Sequence, residues 1–357
     1  MRRKIVLGLG VLLALCGTFA RGQQPAASGA QGPASGAASA ASPEANQNPQ
    51  QPTAPGQAPT LRVTTGLVKL VVTVLDRHRN FITDLDKTDF KVLEDGQPQS
   101  IRFFASQTDL PLRIGLLLDT SNSIRPRLEF EKEAAIDFLG KVIRRHKDLA
   151  FLMTFDNEPQ VIQDYTDNFA LLQNAIQEQR AGGLTALHDA ICLASDKLSR
   201  APIPPGEESD VRRVIVVFSD GEDTVQNHAL SDAIDASIRS EAVIYAISTN
   251  TDWLAIDDAN KPSKYHMDRG DKVLAQFADQ TGGHAFFPYR IDDLALSFDQ
   301  IGTELRSQYF IAYAPATPPS DGRYRKIDVQ TARKGLVVRT RKGYYAVASR
   351  SAAGPGS

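Results

Sequence analysis

The sequence predicts an α/β protein: a doubly wound, mostly parallel sheet, flanked by a β-sandwich module built from N- and C-terminal strands. Three observations predict it. Between residues 110 and 308, short apolar runs alternate with stretches whose apolar residues recur at helical spacing. On either side, residues 61–107 and 309–347 alternate apolar and polar positions with the two-residue period of half-buried strands. Ahead of these, the first 60 residues have a composition that builds no core.

Residues 1–22 read as an export signal. Arg2, Arg3 and Lys4 form a basic start, residues 5–15 are uncharged and apolar, and Thr18, Ala20 and Gly22 offer small residues for cleavage after Ala20 or Gly22. The apolar run stops short of the ~20 residues that a spanning helix needs. The alternatives are an uncleaved signal that serves as an anchor, or a lipid anchor at Cys16, where bulky Leu15 stands in place of the small residue such an anchor prefers. Residues 23–60 form a Pro/Ala/Gln-rich stretch with a single charge, Glu44, and no aromatic residue, Leu, Ile or Val. It lacks the apolar surface to offset ordering entropy, so a disordered tether is expected. Residues 348–357 are expected to be a disordered tail.

In residues 61–107, Val68, Leu70, Val72 and Val74 share one strand face, and Phe90 and Val92 share another. Asp95-Gly96 marks a tight hairpin, with Ile101 and Phe103 expected on its return strand. In residues 309–347, strands over 310–313, 324–331, 336–340 and 344–347 are separated by Asp321-Gly322, Lys334-Gly335 and Lys342-Gly343 turns. Neither segment is long enough for a core of its own, so the two are expected to pair into one sandwich, with residues 110–308 inserted between them.

Within the insertion, buried strands are expected at 114–118, 149–155, 214–218 and 243–247. Helical spacing links Leu128, Ala134, Ala135, Phe138, Leu139, Val142 and Ile143; Leu187, Ala190, Ile191, Ala194 and Leu198; and Val273, Leu274, Phe277 and Ala278. Apolar strands alternating with helices imply a parallel sheet covered on both faces, with ligands gathering at the carboxyl ends of its strands.

The chemistry-bearing residues stand at those ends. Asp119-Thr120-Ser121-Asn122-Ser123 follows the first strand, Ser219-Asp220-Gly221-Glu222-Asp223 follows the third, and Gly182-Gly183-Leu184-Thr185 opens a helix between them. Asp119, Ser121, Ser123, Thr185 and Asp220 together offer two carboxylates and three hydroxyls. These hard oxygen ligands suit Mg²⁺, or Mn²⁺ or Ca²⁺, and suit zinc or copper poorly. Two carboxylates neutralise one divalent ion while the other ligands stay uncharged, which leaves a position for an acidic group from outside. Read alone, Asp-x-Ser-x-Ser could simply cap a helix. Three such loops in this order point to a cation site.

These residues resemble the von Willebrand factor A domain, whose metal-ion-dependent adhesion site uses Asp-x-Ser-x-Ser, a downstream Thr and a downstream Asp. The resemblance covers about residues 112–305. It implies direct ligation by Ser121 and Ser123, ligation by Thr185 directly or through water, and ligation by Asp119 and Asp220 through water. Leu184, between the glycine pair and Thr185, departs from the family pattern. Residues 86–96, 281–288 and 341–345 are further similar to the von Willebrand factor A-related family of acidobacteria, which implies an exported bacterial protein.

Other signals are sparse. With 40 basic and 42 acidic residues the chain has a net charge of −2, which gives no electrostatic footprint for nucleic acid. Two cysteines, Cys16 and Cys192, provide neither a disulfide framework nor a thiolate zinc site. No Gly-x-x-x-x-Gly-Lys-Ser/Thr loop, Gly-x-Ser-x-Gly elbow or His-Glu-x-x-His helix is present. The six histidines are scattered, and His188 is the one nearest the expected site. Asp189 and Asp223 are candidates for orienting its loops, Asp156 for lying at the same sheet edge, and residues 251–271, with Trp253, Tyr265, His266 and Met267, for a specificity loop.

The expected function is an exported, non-enzymatic binding or adhesion module, in the periplasm, at the cell surface or secreted. It would use a divalent cation to capture a carboxylate of a partner protein. The alternatives are a metal-assisted hydrolase or phosphatase using Asp119 and Asp220, and an envelope scaffold with a degenerate metal site.

Overall fold

A computed structural model describes residues 66–106, 110–204, 211–250, 267–288, 291–316 and 321–346. The expected signal, with Cys16, the tether and the tail lie outside the described residues, as does the part of the expected specificity loop that holds Trp253, Tyr265 and His266. Among the described residues no helix is long and apolar enough to cross a membrane.

The chain opens with β1 (Val68–Leu75), β2 (Phe90–Glu94), β3 (Gln97–Gln99) and β4 (Ile101–Ser106). It then builds the α/β body from β5 (Leu112–Asp119), α1 (Leu128–Val142), β6 (Leu149–Phe155), β7 (Pro159–Thr166), α2 (Phe169–Gln177), α3 (Leu187–Ser199), β8 (Arg212–Ser219), α4 (Leu230–Ser240), β9 (Val243–Ser248), α5 (Arg269–Thr281), β10 (His284–Phe286) and α6 (Ile291–Ser307). It closes with β11 (Tyr309–Tyr313), β12 (Tyr324–Thr331), β13 (Val337–Arg339) and β14 (Gly343–Tyr345).

The body's sheet runs β10-β9-β8-β5-β6-β7, with every pair parallel except β6–β7. Alternation along each strand decides which helices it meets. Ile114, Leu116 and Leu118 of β5 face α1, α2 and α6, where Phe138 and Phe298 pack at 5.3 Å. Leu117, with Phe151, Val217 and Ala246 of neighbouring strands, faces α3, α4 and α5. Both faces are therefore covered, as the unbroken apolar strands require. The sheet thus presents its strand ends as the place for polar residues.

The flanking strands form two antiparallel sheets, β13-β1-β11-β4 and β14-β12-β2-β3. Val68, Leu70, Val72 and Val74 of β1 meet Phe90 and Val92 of β2, Tyr309, Ile311 and Tyr313 of β11 and Ile327 and Val329 of β12 in one core. The expected pairing of N- and C-terminal strands into a sandwich holds. The expected partner of the hairpin does not. Asp95 and Gly96 take positive φ of 47° and 81°, as a tight hairpin turn requires, but the return strand is the short β3. Ile101 and Phe103 instead lie on β4, which crosses to pair with β11. The reason is Phe104, whose ring meets Phe90 at 5.6 Å and Tyr309 at 5.7 Å between the sheets.

Candidate metal centre

β5 and β8 are parallel neighbours in register, with Leu118 opposite Phe218, so Asp119 and Ser219 emerge side by side. Asp119 is fully buried. Its Oδ2 accepts a hydrogen bond from Ser219 Oγ at 2.8 Å, and its Oδ1 accepts one from the Ser121 N–H at 2.9 Å. The second bond folds the chain back into a short 3₁₀ turn, Asn122–Ile124. That turn sets the hydroxyls of Ser121 and Ser123 2.9 Å apart. Asp119 and Ser121 lie at the bottom of the cluster, and Ser123 is exposed at its mouth. Burial pushes the Asp119 carboxyl up to about 7. The charge of Asp220 adds to the rise, and the hydrogen bonds from Ser121 and Ser219 oppose it.

The Gly-Gly-Leu-Thr loop is tied to this turn through its backbone. The Gly182 N–H donates to Thr120 C=O at 2.7 Å, and the Asn122 N–H donates to Gly183 C=O at 3.2 Å. Gly183 takes φ +87° with the Asn157 amide packed where a Cβ would stand. Leu184 gives only its N–H, to Asn157 Oδ1 at 3.2 Å, and its side chain is 54% exposed. The departure from the family pattern therefore leaves the loop's course to its backbone bonds. Thr185 is buried and clasped on both sides. Its N–H donates to Thr224 Oγ1 at 2.9 Å, and its C=O accepts the N–H groups of Thr224 and Val225 at 2.9 and 3.2 Å.

Asp220 follows Ser219 and is largely buried; its Oδ1 accepts the Glu222 N–H at 3.0 Å and its C=O accepts Asn250 Nδ2 at 2.6 Å. Gly221, at φ +78°, lies directly against the backbone of Gly270 in the first turn of α5, and a Cβ on either glycine would overlap the other segment's backbone. Gly270→Ala is therefore expected to displace the Asp220 loop and to weaken cation binding at least tenfold, read by calorimetric titration against the unaltered protein.

The other candidates act around the five residues. Asp223 caps α3, accepting the His188 N–H at 3.1 Å, and its Oδ2 lies 3.3 Å from His188 Nδ1. Asp189 binds His228 Nδ1 at 2.7 Å and Asn227 Nδ2 at 2.8 Å; burial works against its ionisation, but these bonds hold its carboxyl below the usual range. Both stitch the loop after β8 to the start of α3. Asp156 accepts the neighbouring Asn157 N–H at the β6 end. Cys192 is half-buried, and burial pushes its thiol up to about 11, which removes it as a reactive group.

Two residues escaped the sequence reading, and Ser219 was read as part of the loop after the third strand but not as the partner of Asp119. Asn157 carries no sequence signal, because its role depends on a neighbouring turn. Glu131 did leave one, as an acidic residue three after Leu128 and four before Ala135 on the core face of α1.

The three loops thus bring Asp119, Ser121, Ser123, Thr185 and Asp220 to one edge of the sheet. Among the described residues no group of three or more carboxylate, imidazole or thiol side chains that could hold a metal is found; the five candidates comprise two carboxylates and three hydroxyls. Asp119 is answered by a neutral hydroxyl and a neutral amide while the charge of Asp220 works against it. A buried carboxylate in that setting fits a divalent cation as the missing positive charge.

Residues 114–222 match the family model described as the von Willebrand factor type A domain. The chain carries a von Willebrand factor type A domain. All five residues fall within the match. No curated protein matches the chain. Solved structures match parts of the chain at low identity. The conserved hypothetical protein BatB from Bacteroides thetaiotaomicron is 19% identical over 55% of this chain and 100% of its own, with a TM-score of 0.41. A von Willebrand factor type A protein from Catenulispora acidiphila is 12% identical over 79% of this chain and 74% of its own, with a TM-score of 0.43. Proximal thread matrix protein 1 from the mussel byssus, in a form with a zinc-occupied MIDAS motif, is 17% identical over 60% of this chain and 49% of its own, with a TM-score of 0.41. Type A domains are interaction modules in general, and here the five candidate residues follow the carboxyl ends of the central strands β5 and β8 or lie in the loop tied to them, with Ser123 exposed and the other four buried.

Proposed function

We propose that the type A domain, taken as residues 110–308, holds a divalent cation at Asp119, Ser121, Ser123, Thr185 and Asp220 and uses it to bind a carboxylate of a partner protein. Mg²⁺ is the expected ion, with Mn²⁺ or Ca²⁺ as substitutes. The observation that carries this reading is Asp119, buried and fixed by Ser121 and Ser219, with Asp220 directly after the neighbouring strand β8 and Ser123 exposed at the mouth. The ion would supply Lewis acidity toward an outside oxygen. The chain's own residues would fix its position, and the predominance of neutral hydroxyls would preserve its pull on an anion. Residues 1–22 and 23–60 support display outside the cytoplasm on a tether.

Calorimetric titration of Mg²⁺ and Mn²⁺ into the full chain is expected to give saturable one-site binding below millimolar concentration. Capture of an envelope protein by the immobilised chain is expected to disappear in EDTA and return with Mg²⁺. Absence of specific cation binding at millimolar metal overturns the reading, and capture indifferent to EDTA overturns its adhesive part.

A further inference from the structure

Glu131 sits in the first turn of α1, on the helix face that packs against the sheet beside Leu128 and Ala135. Its side chain is buried, and neither carboxylate oxygen has a hydrogen-bond partner among the described residues. The adjacent Lys132 does not answer it: that ammonium is bound to Glu129 at 2.8 Å and to the Gln179 C=O at 3.1 Å. The positive end of α1 and the charge of Arg127 favour ionisation of Glu131, and burial together with the charges of Asp119 and Asp220 outweighs them. The backbone places Glu131 beside the cation site: the Arg127 N–H donates to Ile124 C=O at 2.8 Å and the Glu131 N–H to Arg127 C=O at 3.0 Å, so the first turn of α1 follows directly on the 3₁₀ turn that carries Ser121 and Ser123. An unpaired carboxylate in a core position is among the costliest groups a fold can bury, and a fold that needed only volume here would use an apolar residue.

We propose that Glu131 is a positioning residue of the cation site, accepting a hydrogen bond from water in the hydration shell of the ion held by Asp119, Ser121, Ser123, Thr185 and Asp220. This rests on the proposed cation site and deepens it. Among the described residues Glu131 forms no three-carboxylate group with Asp119 and Asp220 that could hold a metal, which fits a water-separated place. Its two buried oxygens are left with acceptor capacity that the protein does not fill. Carboxylates in such outer positions orient the hydration shell and typically change metal affinity by about ten- to a hundredfold.

Two variants of the full chain test this. E131Q keeps the shape and removes the charge, and E131M keeps the volume and removes both acceptors. Each is expected to bind Mn²⁺ at least tenfold more weakly by calorimetry. Each is also expected to melt in EDTA at neutral pH at a temperature no lower than the unaltered protein, because the metal-free fold loses an unanswered carboxylate. A merely structural Glu131 gives the opposite pair of results. Undiminished Mn²⁺ affinity in both variants, or a clear loss of stability of both in EDTA, overturns the role of Glu131 and leaves the cation site standing. Failure of the unaltered protein to bind Mn²⁺ overturns both.

Discussion

Asp119→Asn is expected to abolish cation binding and, in EDTA near pH 8, to leave the protein more stable than the unaltered chain. The two effects have one cause. The folded state holds the Asp119 proton more tightly than the unfolded chain does, since burial moves the carboxyl from about 3.8 to about 7. The folded, metal-free protein thus gains a contribution that is complete below about pH 4 and is lost as pH rises through about 7. Above that pH, the ionised carboxylate costs on the order of a few kcal/mol unless a cation answers it. The amide in its place stays neutral, accepts the Ser121 N–H and donates to Ser219 Oγ. In a series of thermal melts in EDTA, the difference between variant and unaltered protein should be small near pH 4 and should grow toward pH 8 in favour of the variant. Saturating Mg²⁺ should close most of that difference by raising only the unaltered protein, by about 3 kcal/mol at a hundred times the dissociation constant. A Mg²⁺ effect of equal size in both proteins would remove Asp119 from the site.

Arg325→Ala is expected to cost about 3–5 kcal/mol of folding stability, the usual result of stranding a buried carboxylate. Glu94 occupies the inward position at the end of β2, two residues after Val92, where alternation calls for an apolar side chain. Its Oε1 takes Arg325 at 3.1 Å, and its Oε2 accepts the hydroxyls of Tyr313 at 2.7 Å and Tyr344 at 3.0 Å. Four strands, β2, β11, β12 and β14, therefore meet at one carboxylate. Burial and the bond to Glu94 hold both phenols well above their ordinary range, so they remain donors at any working pH. Urea denaturation should show the midpoint fall in Arg325→Ala and largely recover when Glu94→Gln is added, because the second change removes the charge that the first exposed. Calorimetric Mn²⁺ affinity at 25 °C should stay unchanged in both. A single variant as stable as the unaltered protein would show that the tyrosines alone satisfy Glu94.

The parts of this architecture that could be read in the sequence are those dictated by local pattern. Apolar runs gave β5, β6, β8 and β9 within two residues of their observed ends, because strands covered on both faces keep their polar residues mostly near the ends. The three loops of the candidate site were legible because Asp, Ser, Thr and Gly cluster directly after such runs. Elements whose burial is shallow or small-residued were not found. β7 is an edge strand with Val161 and Ile162 partly exposed, and α4 packs through Ala233 and Ser237 as much as through Ile234 and Ile238. The hairpin after β2 was placed correctly but matched to the wrong strand, since a turn fixes where a chain reverses and says nothing of when it next changes sheet. Glu131 and Glu94 belong to a third class. Each is a charge at a position whose period demands an apolar residue; side chains from three other strands explain Glu94, while Glu131 has no hydrogen-bond partner among the described residues.

The antiparallel pairing of Ser106 with Tyr309 joins residues about two hundred positions apart. Closing a loop of that length ahead of any reward is slow, and non-local strand pairing is the step that limits such topologies. The body between them removes the difficulty once it has collapsed, because its own first strand and last helix deliver both ends to the same place. The expected consequence is an order of events, readable by pulsed hydrogen exchange: protection in the α/β body, built from contacts nearer in sequence, before protection in β4 and β11, which then close as though they were the arms of a hairpin.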